Sequence, residues 1–267
     1  MSKLIMIGNA VEVIRPMRSN YVDLILTSPP YDSMRAYNGY KFDTEVFQTL
    51  AHEMYRILKP GGVLVWVVGD QTKNCTESFT SLTQALYFKN QVGFLAHDTM
   101  IYELNKPPLS HNRYEQAWEY MFVLSKGRPK TFNGIRIKKS HPESRPRIKG
   151  YGRDRDNSRD MGLARNDTAD RLKGNVWRYT PGATKAHDKY IHEHPAIFPL
   201  GLAQDHIRSW TNEGDLVLDP FVGSGTTGKA ALELGRKFIG IDISPQYARI
   251  ACRRVGLTKA YQWSENA

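Results

Sequence analysis

One short segment carries residues that could hold a small polar group beside an aromatic ring. The run TSPPY at residues 27–31 follows the apolar run VDLIL. Two adjacent prolines cannot continue a strand, because neither has an N–H to donate, and they fix the backbone with little freedom. The rigid turn has a hydroxyl before it and a ring after it. We therefore take Ser28, Pro29, Pro30 and Tyr31 as candidate catalytic residues.

A second segment, VLDPFVGSGTTGKAALELGRKFIGIDIS at residues 217–244, matches G-x-G-x-x-G at Gly223, Gly225 and Gly228. Small residues let a backbone approach an adenosine-bearing cofactor, and an acid at the next strand end, here Asp242, binds ribose hydroxyls. An acid at the mouth of the loop, Asp219, would repel a pyrophosphate and attract the ammonium or sulfonium of S-adenosylmethionine. The pattern therefore favours S-adenosylmethionine over NAD.

These segments lie among alternating strands and helices. Apolar runs predict strands at Lys3–Ile7, Val22–Thr27, Val63–Val68, Ala96–Leu104, Trp118–Leu124, Leu216–Asp219 and Lys237–Ile241. Helical spacing predicts helices at Asp43–Leu58, Ser78–Phe88, Pro199–Trp210, Thr226–Leu234 and Pro245–Val255. Such alternation predicts an α/β fold with a doubly wound, mostly parallel sheet.

The positive charge is concentrated in one stretch of the chain. The net charge is +10, and residues 126–190 hold eighteen of the 37 Lys and Arg residues but only seven of the 27 Asp and Glu residues. The rest of the chain is close to neutral. We call residues 126–190 the basic insert, and its charge predicts a polyanionic partner, with nucleic acid first.

The remaining composition limits the class of protein. Cys75 and Cys252 are far apart and form neither a disulfide framework nor a zinc knuckle. The apolar run within the first ten residues is too short for a signal peptide, and no segment approaches the ~18 apolar residues of a membrane span. We expect a soluble protein in a reducing compartment.

With both segments placed, the chain resembles the amino methyltransferases of DNA. TSPPY resembles their catalytic tetrapeptide, and DPFVGSGTT resembles their cofactor loop. FIGIDIS resembles the strand that carries the ribose-binding acid. HPAIFP at residues 194–199 resembles the segment before the helix that packs over the methionine end of the cofactor. GNAVEVI resembles the segment before the catalytic strand, with Asn9 where Asp is usual. Because the catalytic motif precedes the cofactor loop, the order is similar to that of the circularly permuted beta class.

The resemblance implies a Rossmann-like methyltransferase domain at residues 1–125 and 191–267, with the basic insert as the target-recognition region. It implies these cofactor-binding residues: Asn9, Ala10, Thr27, His194, Phe198, Asp219, Pro220, Phe221, Gly223, Ser224, Gly225, Thr226, Asp242 and Ile243. Within the insert, the candidate DNA-binding residues are Arg136, Lys138, Lys139, Arg145, Arg147, Lys149, Arg153 and Arg155.

The implied chemistry needs no metal and no covalent nucleophile. The amino group of a nucleobase is a poor nucleophile, and acceptors aimed at its N–H groups stabilise the charge that develops on it. The Ser28 hydroxyl and the Pro29 carbonyl would supply them, and the Tyr31 ring would stack on the flipped base. The three histidines His187, His192 and His194 fit no usual zinc spacing.

The resemblance leaves the target open. Ser28 favours N4 of cytosine; N6 of adenine is the alternative, and an RNA or protein-amide substrate or a non-catalytic binding protein are further readings. The expected partners are double-stranded DNA and a cognate restriction endonuclease, in a monomer or homodimer. The expected setting is the cytoplasm of a prokaryote, or a phage-encoded origin, with association to the nucleoid.

Overall fold

A computed structural model describes residues 3–30, 42–104, 114, 116–138, 152–153, 159–160, 170–179 and 199–264. It divides into two compact units: residues 1–133 with 175–267, and residues 134–174. The first unit contains the sheet and all the helices that the described residues form.

Strands and α-helices alternate along much of the described chain. The strands are β1 (Lys3–Ile7), β2 (Val22–Thr27), β3 (Leu58–Val68), β4 (Thr72–Lys73), β5 (Thr76–Glu77), β6 (Leu95–Glu103), β7 (Trp118–Ser125), β8 (Arg136–Lys138), β9 (Gly152–Arg153), β10 (Arg159–Asp160), β11 (Asp170–Leu172), β12 (Val176–Arg178), β13 (Leu216–Asp219), β14 (Lys237–Asp242) and β15 (Tyr261–Gln262). The helices are α1 (Ala10–Ile14), α2 (Thr44–Ile57), α3 (Thr80–Tyr87), α4 (Leu200–Trp210), α5 (Thr226–Glu233) and α6 (Pro245–Val255), and a π-helical turn (Phe88–Val92) follows α3.

Nine of the described strands form one sheet in the order β12-β6-β7-β3-β2-β13-β14-β1-β15. Strand β7 runs antiparallel to its neighbours β3 and β6, and the other pairs in this sheet are parallel. The doubly wound, mostly parallel sheet predicted from the sequence is confirmed.

Helices cover both faces of this sheet. On one face, α1 and α2 pack against a cluster that includes Ile25, Trp66 and Leu218. On the other face, His206 of α4 lies 3.2 Å from the sulfur of Met121 in β7. Strands buried on both faces are near-continuous apolar runs, which is why β2 and β13 could be recognised in the sequence.

The parallel strands gather the candidate residues at one edge. In register, Ile7 of β1 lies beside Asp242 of β14, and Leu218 of β13 lies beside Ile25 of β2. Strand β3 continues the row, since Thr27 pairs with Trp66. The segments that follow these strands therefore lie next to one another, at the carboxyl edge where ligands bind in such sheets. We call it the catalytic edge.

The unit boundaries differ from the predicted insert of residues 126–190. Residues 126–133 and 175–179 lie in the first unit, because Gly61 N donates to Lys126 O at 2.7 Å and β12 pairs with β6. The second unit contains two antiparallel ladders, β8 with β11 and β9 with β10. Its role in target recognition stays a prediction. Within the described residues, no helix is both long and apolar enough to span a bilayer.

Candidate active site

The proline turn leaves β2 at the catalytic edge. Ser28 and Pro30 are half-buried and Pro29 is buried, directly after the fully buried Thr27. The strand ends here as the prolines require, so the Ser28 hydroxyl and the Pro29 carbonyl come at the end of a central strand. Tyr31 lies outside the described residues, and its stacking role stays a prediction.

Asp219, at the end of β13, ties this strand to the glycine-rich segment. One carboxylate oxygen accepts hydrogen bonds from Thr27 Oγ1 at 2.6 Å and from Phe221 N at 3.0 Å. The other accepts one from Thr227 Oγ1 at 2.7 Å. Asp219 is only 2% exposed. The hydrogen bonds of Asp219 therefore link the end of β2, the loop and α5 to one another. Its negative charge attracts a positive ligand from within this network.

Asp242 organises the other side of the loop. Its two carboxylate oxygens accept hydrogen bonds from Gly223 N at 2.9 Å and from Ser244 N at 2.8 Å. The backbone of Asp242 also accepts a hydrogen bond from Gly8 N at 3.0 Å, which brings Asn9 beside it. Asn9 itself caps α1, since its Oδ1 accepts from Val11 N at 2.9 Å. Ala10 is the first residue of that helix.

Both carboxylates are costly to ionise where they lie. Burial raises the pKa of Asp219 to about 6, against the lowering effect of its hydrogen bonds to Thr27, Thr227 and Phe221. Burial, with a smaller contribution from the charge of Asp219, likewise raises the pKa of Asp242 to about 6, against the lowering effect of its hydrogen bonds from Ser244 and Gly223. Two buried carboxylates that repel each other would be stabilised by a cationic ligand and would oppose a pyrophosphate.

The loop between these acids, residues 219–228, is named the cofactor loop. It needs glycine at Gly225, where φ is +84° and a Cβ atom would come within 2.9 Å of the Cα of Ala251 in α6. Gly225 is also the residue that caps α5. The close approach of α6 thus fixes the path of the loop, and the hydroxyl groups of Ser224 and Thr226 are both buried.

Arg254 of α6 holds the loop from the helix side, and no sequence pattern predicted it. Its Nη1 atom donates to Ser224 O and Ser224 Oγ, each at 2.8 Å, and to Thr226 Oγ1 at 3.1 Å. Because the partners are 28 and 30 positions apart in the chain, no local pattern could reveal the contact. Thr227 was missed as well, although the doubled threonine at the helix start was a visible signal.

The residues at this edge fit S-adenosylmethionine as a ligand. Asp219 and Asp242 place negative charge around the loop, and Gly223 and Gly225 both have positive φ, so the turn between the two acids is tight. The sulfonium and the ammonium of this cofactor match the charge. Pro220, Phe221 and Ile243 follow the two acids directly, and Phe221 packs edge-on against Phe42 with ring centroids 5.2 Å apart.

Several predicted residues cannot be placed. His194 and Phe198 of the cofactor set lie outside the described residues, as do Lys139, Arg145, Arg147, Lys149 and Arg155 of the DNA-binding set. In the second unit, Arg136 and Lys138 are exposed on β8 two residues apart, so they share one face of that strand. Arg153 belongs to β9. His187 and His192 also lie outside the described residues, so the prediction on metals stays untested.

Known proteins match this chain over most of its length. The sequence profile of the DNA methylase family, N6_N4_Mtase, matches residues 22–253. The orphan methyltransferase M.BamHII of Bacillus amyloliquefaciens is 48% identical over 238 residues, which is 88% of this chain and 88% of that protein.

More distant relatives differ in their targets. The DNA adenine methyltransferase YhdJ of Escherichia coli (strain K12) is 28% identical over 100% of this chain and 87% of its own length. In structure, the cytosine-N4-specific PvuII DNA methyltransferase superposes with a TM-score of 0.71 at 20% identity, covering 100% of this chain and 88% of that one. The proteins compared thus include both an adenine enzyme and a cytosine-N4 enzyme, and the likeness to the second is one of fold.

Proposed function

The chain belongs to the DNA methylase family of N6/N4 amino methyltransferases, and on that premise we propose that it methylates the exocyclic N4 amine of cytosine in duplex DNA. The observation that carries the proposal is the join at Asp219. Its carboxylate binds Thr27, the residue before Ser28, and Phe221 and Thr227 of the cofactor loop. The acceptor groups and the loop are therefore parts of one hydrogen-bonded edge.

S-adenosylmethionine supplies an electrophilic methyl group at this edge. Among the chain's own groups, Asp219 and Asp242 provide the negative surroundings that a cationic ligand needs, and the glycine turn of the cofactor loop lies between them. Asp242 stays available to hydroxyl donors, because each carboxylate oxygen has capacity for a second hydrogen bond.

The Ser28 hydroxyl and the Pro29 carbonyl act on the amine. They accept its two N–H groups, so the nitrogen lone pair turns toward the methyl carbon. With the cofactor bound, transfer of its methyl group would form the N–C bond as the C–S bond broke and its electron pair stayed on sulfur, and the amine held by Ser28 and Pro29 would release one proton past Ser28 to solvent. Fixed acceptors of this kind contribute roughly 3–4 kcal/mol each to such a reaction. Holding the two reactants in line supplies much of the rest.

The cytosine assignment depends on Ser28. A neutral hydroxyl at this position is typical of the N4-cytosine members, whereas Asp is typical of N6-adenine members; N6 of adenine is the second candidate. The basic insert holds the duplex through its Lys and Arg residues, two of which, Arg136 and Lys138, are exposed on one strand face. Phosphate contacts fix orientation, and contacts to base edges set the site.

The cellular setting follows from the substrate. We place the protein with the DNA of a prokaryote or phage, in the cytoplasm, as a monomer or homodimer. A cognate restriction endonuclease is part of this proposal, although the relative M.BamHII carries the name of an orphan enzyme.

The test is methyl transfer from labelled S-adenosylmethionine to unmethylated duplex DNA, followed by digestion and separation of the nucleosides. The proposal predicts label in N4-methylcytosine. Label in N6-methyladenine instead would move the target to adenine. Transfer to RNA with none to duplex DNA would reject DNA as the substrate.

A further inference from the structure

A second feature projects from the catalytic edge beside the proline turn. Strand β3, the hydrogen-bonded neighbour of β2, ends at Val68 and leads into the antiparallel pair β4–β5. We call residues 71–78 the edge hairpin. Its base is closed by Ser78 N, which donates to Gln71 O at 2.8 Å. Because β2 and β3 are parallel, the edge hairpin leaves the sheet on the same side as Ser28.

The backbone is strained directly after the edge hairpin, at Phe79. Of the four non-glycine residues with positive φ in the described part of the chain, three lie in the edge hairpin or directly after it: Asn74, Cys75 and Phe79. Asn74 and Cys75 form the two-residue turn of the hairpin, where positive φ is expected. Phe79 has φ 52° and ψ 23°. For a bulky aromatic residue this conformation is a true outlier, with a cost on the order of 1–3 kcal/mol, and such strain gathers at functional sites.

Phe79 is exposed, and its backbone is held from both sides. The side chain is 56% exposed. Asp70 accepts hydrogen bonds from Ser78 Oγ at 3.2 Å and from Ser81 N at 2.9 Å, one on each side of Phe79. The carbonyl of Phe79 accepts both the amide and the hydroxyl of Thr83 at 3.0 Å. The protein thus fixes an apolar ring in solvent rather than burying it.

A duplex must approach the catalytic edge for a base to reach Ser28. Flipping that base costs a few kcal/mol of lost stacking and pairing. Proteins that open base steps do so with apolar side chains on a firm support. The edge hairpin carries one base, Lys73, and one acid, Glu77, so phosphate attraction does not explain its placement. Its exposed residues Thr72, Asn74 and Thr76 are hydrogen-bonding groups suited to a groove.

We propose that Phe79, supported by the edge hairpin, inserts into duplex DNA beside the target base and stabilises the flipped state. This inference rests on the proposed function, since it assumes that the substrate is duplex DNA. It assigns DNA contact to a part of the first unit outside the basic insert. It also separates two tasks: the insert supplies charge, and Phe79 offsets the cost of opening the stack.

The experiment compares two duplexes that carry the sequence methylated by the wild-type enzyme, as read from DNA of a host that expresses it. One duplex is fully paired, and in the other an abasic site faces the target base, so that little pairing is lost on flipping. For Phe79→Ala we expect a methylation rate about 10-fold or more below wild type on the paired duplex, since part of the flipping cost is no longer offset. On the abasic duplex we expect the rate to return to within about 3-fold of wild type.

Two further variants keep the result interpretable. Leu86→Ala removes another exposed apolar side chain of α3, 58% exposed, and should match wild type on both duplexes. Phe79→Gly relieves the positive φ, so it should unfold at equal or higher denaturant than wild type while showing the same loss on the paired duplex. Equal loss on both duplexes, or no loss on the paired one, would overturn the role of Phe79. Host DNA that gains no methylated base when the wild-type enzyme is expressed would instead reject the proposed function.

Discussion

The catalytic edge and the second unit use their charged residues in opposite ways. At the edge, Asp219 and Asp242 are 2% and 9% exposed and their carboxylates accept several hydrogen bonds. In the second unit, Arg136 and Lys138 are exposed on a ladder of three residue pairs. Chemistry requires groups fixed to a fraction of an ångström, whereas attraction for a polyanion requires only charge at the surface. Substitutions at the catalytic edge should therefore have far larger effects on stability and binding than substitutions in the second unit.

The largest effect is expected at Gly225. Alanine there must adopt φ +84° and place its Cβ 2.9 Å from the Cα of Ala251, so α6 has to move. Gly214→Ala is the matched control, because Gly214 has the same φ of +84° with nothing within 4 Å of the added Cβ. We expect Gly225→Ala to lower the free energy of unfolding by about 3 kcal/mol or more and Gly214→Ala by about 1 kcal/mol. Urea denaturation measures both, and equal losses would show that packing on α6 does not fix the loop.

The next effect is a pH dependence caused by Asp219. Its folded-state pKa of about 6 lies above the unfolded value of 3.8. A carboxyl group with a raised pKa contributes stability below the unfolded pKa and loses it as pH rises through 6. The ligand-free protein should therefore gain stability from this group as pH falls from 7 to 4, by an amount on the order of 1–3 kcal/mol.

Asp219→Asn removes that titration and keeps the shape of the side chain. The difference in unfolding free energy between wild type and variant, measured from pH 4 to pH 8, should change most between pH 4 and pH 6 and level off above that range. S-adenosylmethionine, a cation at this edge, should also bind wild type less tightly below pH 6, and the variant should lose that dependence. Parallel stability curves for the two proteins would mean that Asp219 is not the buried titrating group.

A smaller effect is expected at Arg254. Arg254→Met removes hydrogen bonds from a charged donor to Ser224 and Thr226 and keeps much of the apolar stem. Such bonds contribute about 1.5–3 kcal/mol, so the dissociation constant for S-adenosylmethionine should rise about 10-fold. Arg249→Met, an exposed arginine of the same helix, is the control. Calorimetric titration measures this dissociation constant. An unchanged affinity in Arg254→Met would show that Arg254 does not support the cofactor loop for binding.

The smallest effect per residue is expected in the second unit. The double variant Arg136→Ala, Lys138→Ala should weaken DNA binding a few-fold. It should also lower the slope of log affinity against log salt by roughly 0.9 for each phosphate that the variant no longer binds. Its affinity for S-adenosylmethionine should not change. Lys237→Ala, exposed at the first residue of β14 and so at the opposite edge of the sheet, serves as the control. A salt slope equal to that of wild type would place the DNA-binding residues elsewhere.

Sequence patterns predicted the elements that form the catalytic edge. The bounds of β1, β2, β13 and α6 agree with the prediction, because each is an apolar or amphipathic run stopped by proline, glycine or a capping residue. The two acids and the glycine turn were visible for the same reason: their spacing along one strand–loop–helix–strand unit is local.

Contacts between distant segments were not predictable in this way. The strand predicted at Val63–Val68 begins five residues earlier, at Leu58, and the backbone of Gly61 in this extension donates to Lys126 O. Strand β12 lies within the predicted insert of residues 126–190. Its three residues are too few for a sequence pattern to predict that it pairs with β6. The inward turn of Asp219 toward Thr27 depends on two strands that are 192 positions apart.

The most direct test is single-turnover methylation by Ser28→Ala, with the affinity for S-adenosylmethionine measured on the same preparation. Methyl transfer is assigned to the end of β2, and cofactor binding to the loop that Asp219 ties to it. We therefore expect a transfer rate at least ~100-fold below wild type, since an acceptor at the reacting amine is lost, with cofactor affinity unchanged within about 3-fold. A transfer rate equal to wild type, at unchanged affinity, would contradict the placement of the chemistry at Ser28.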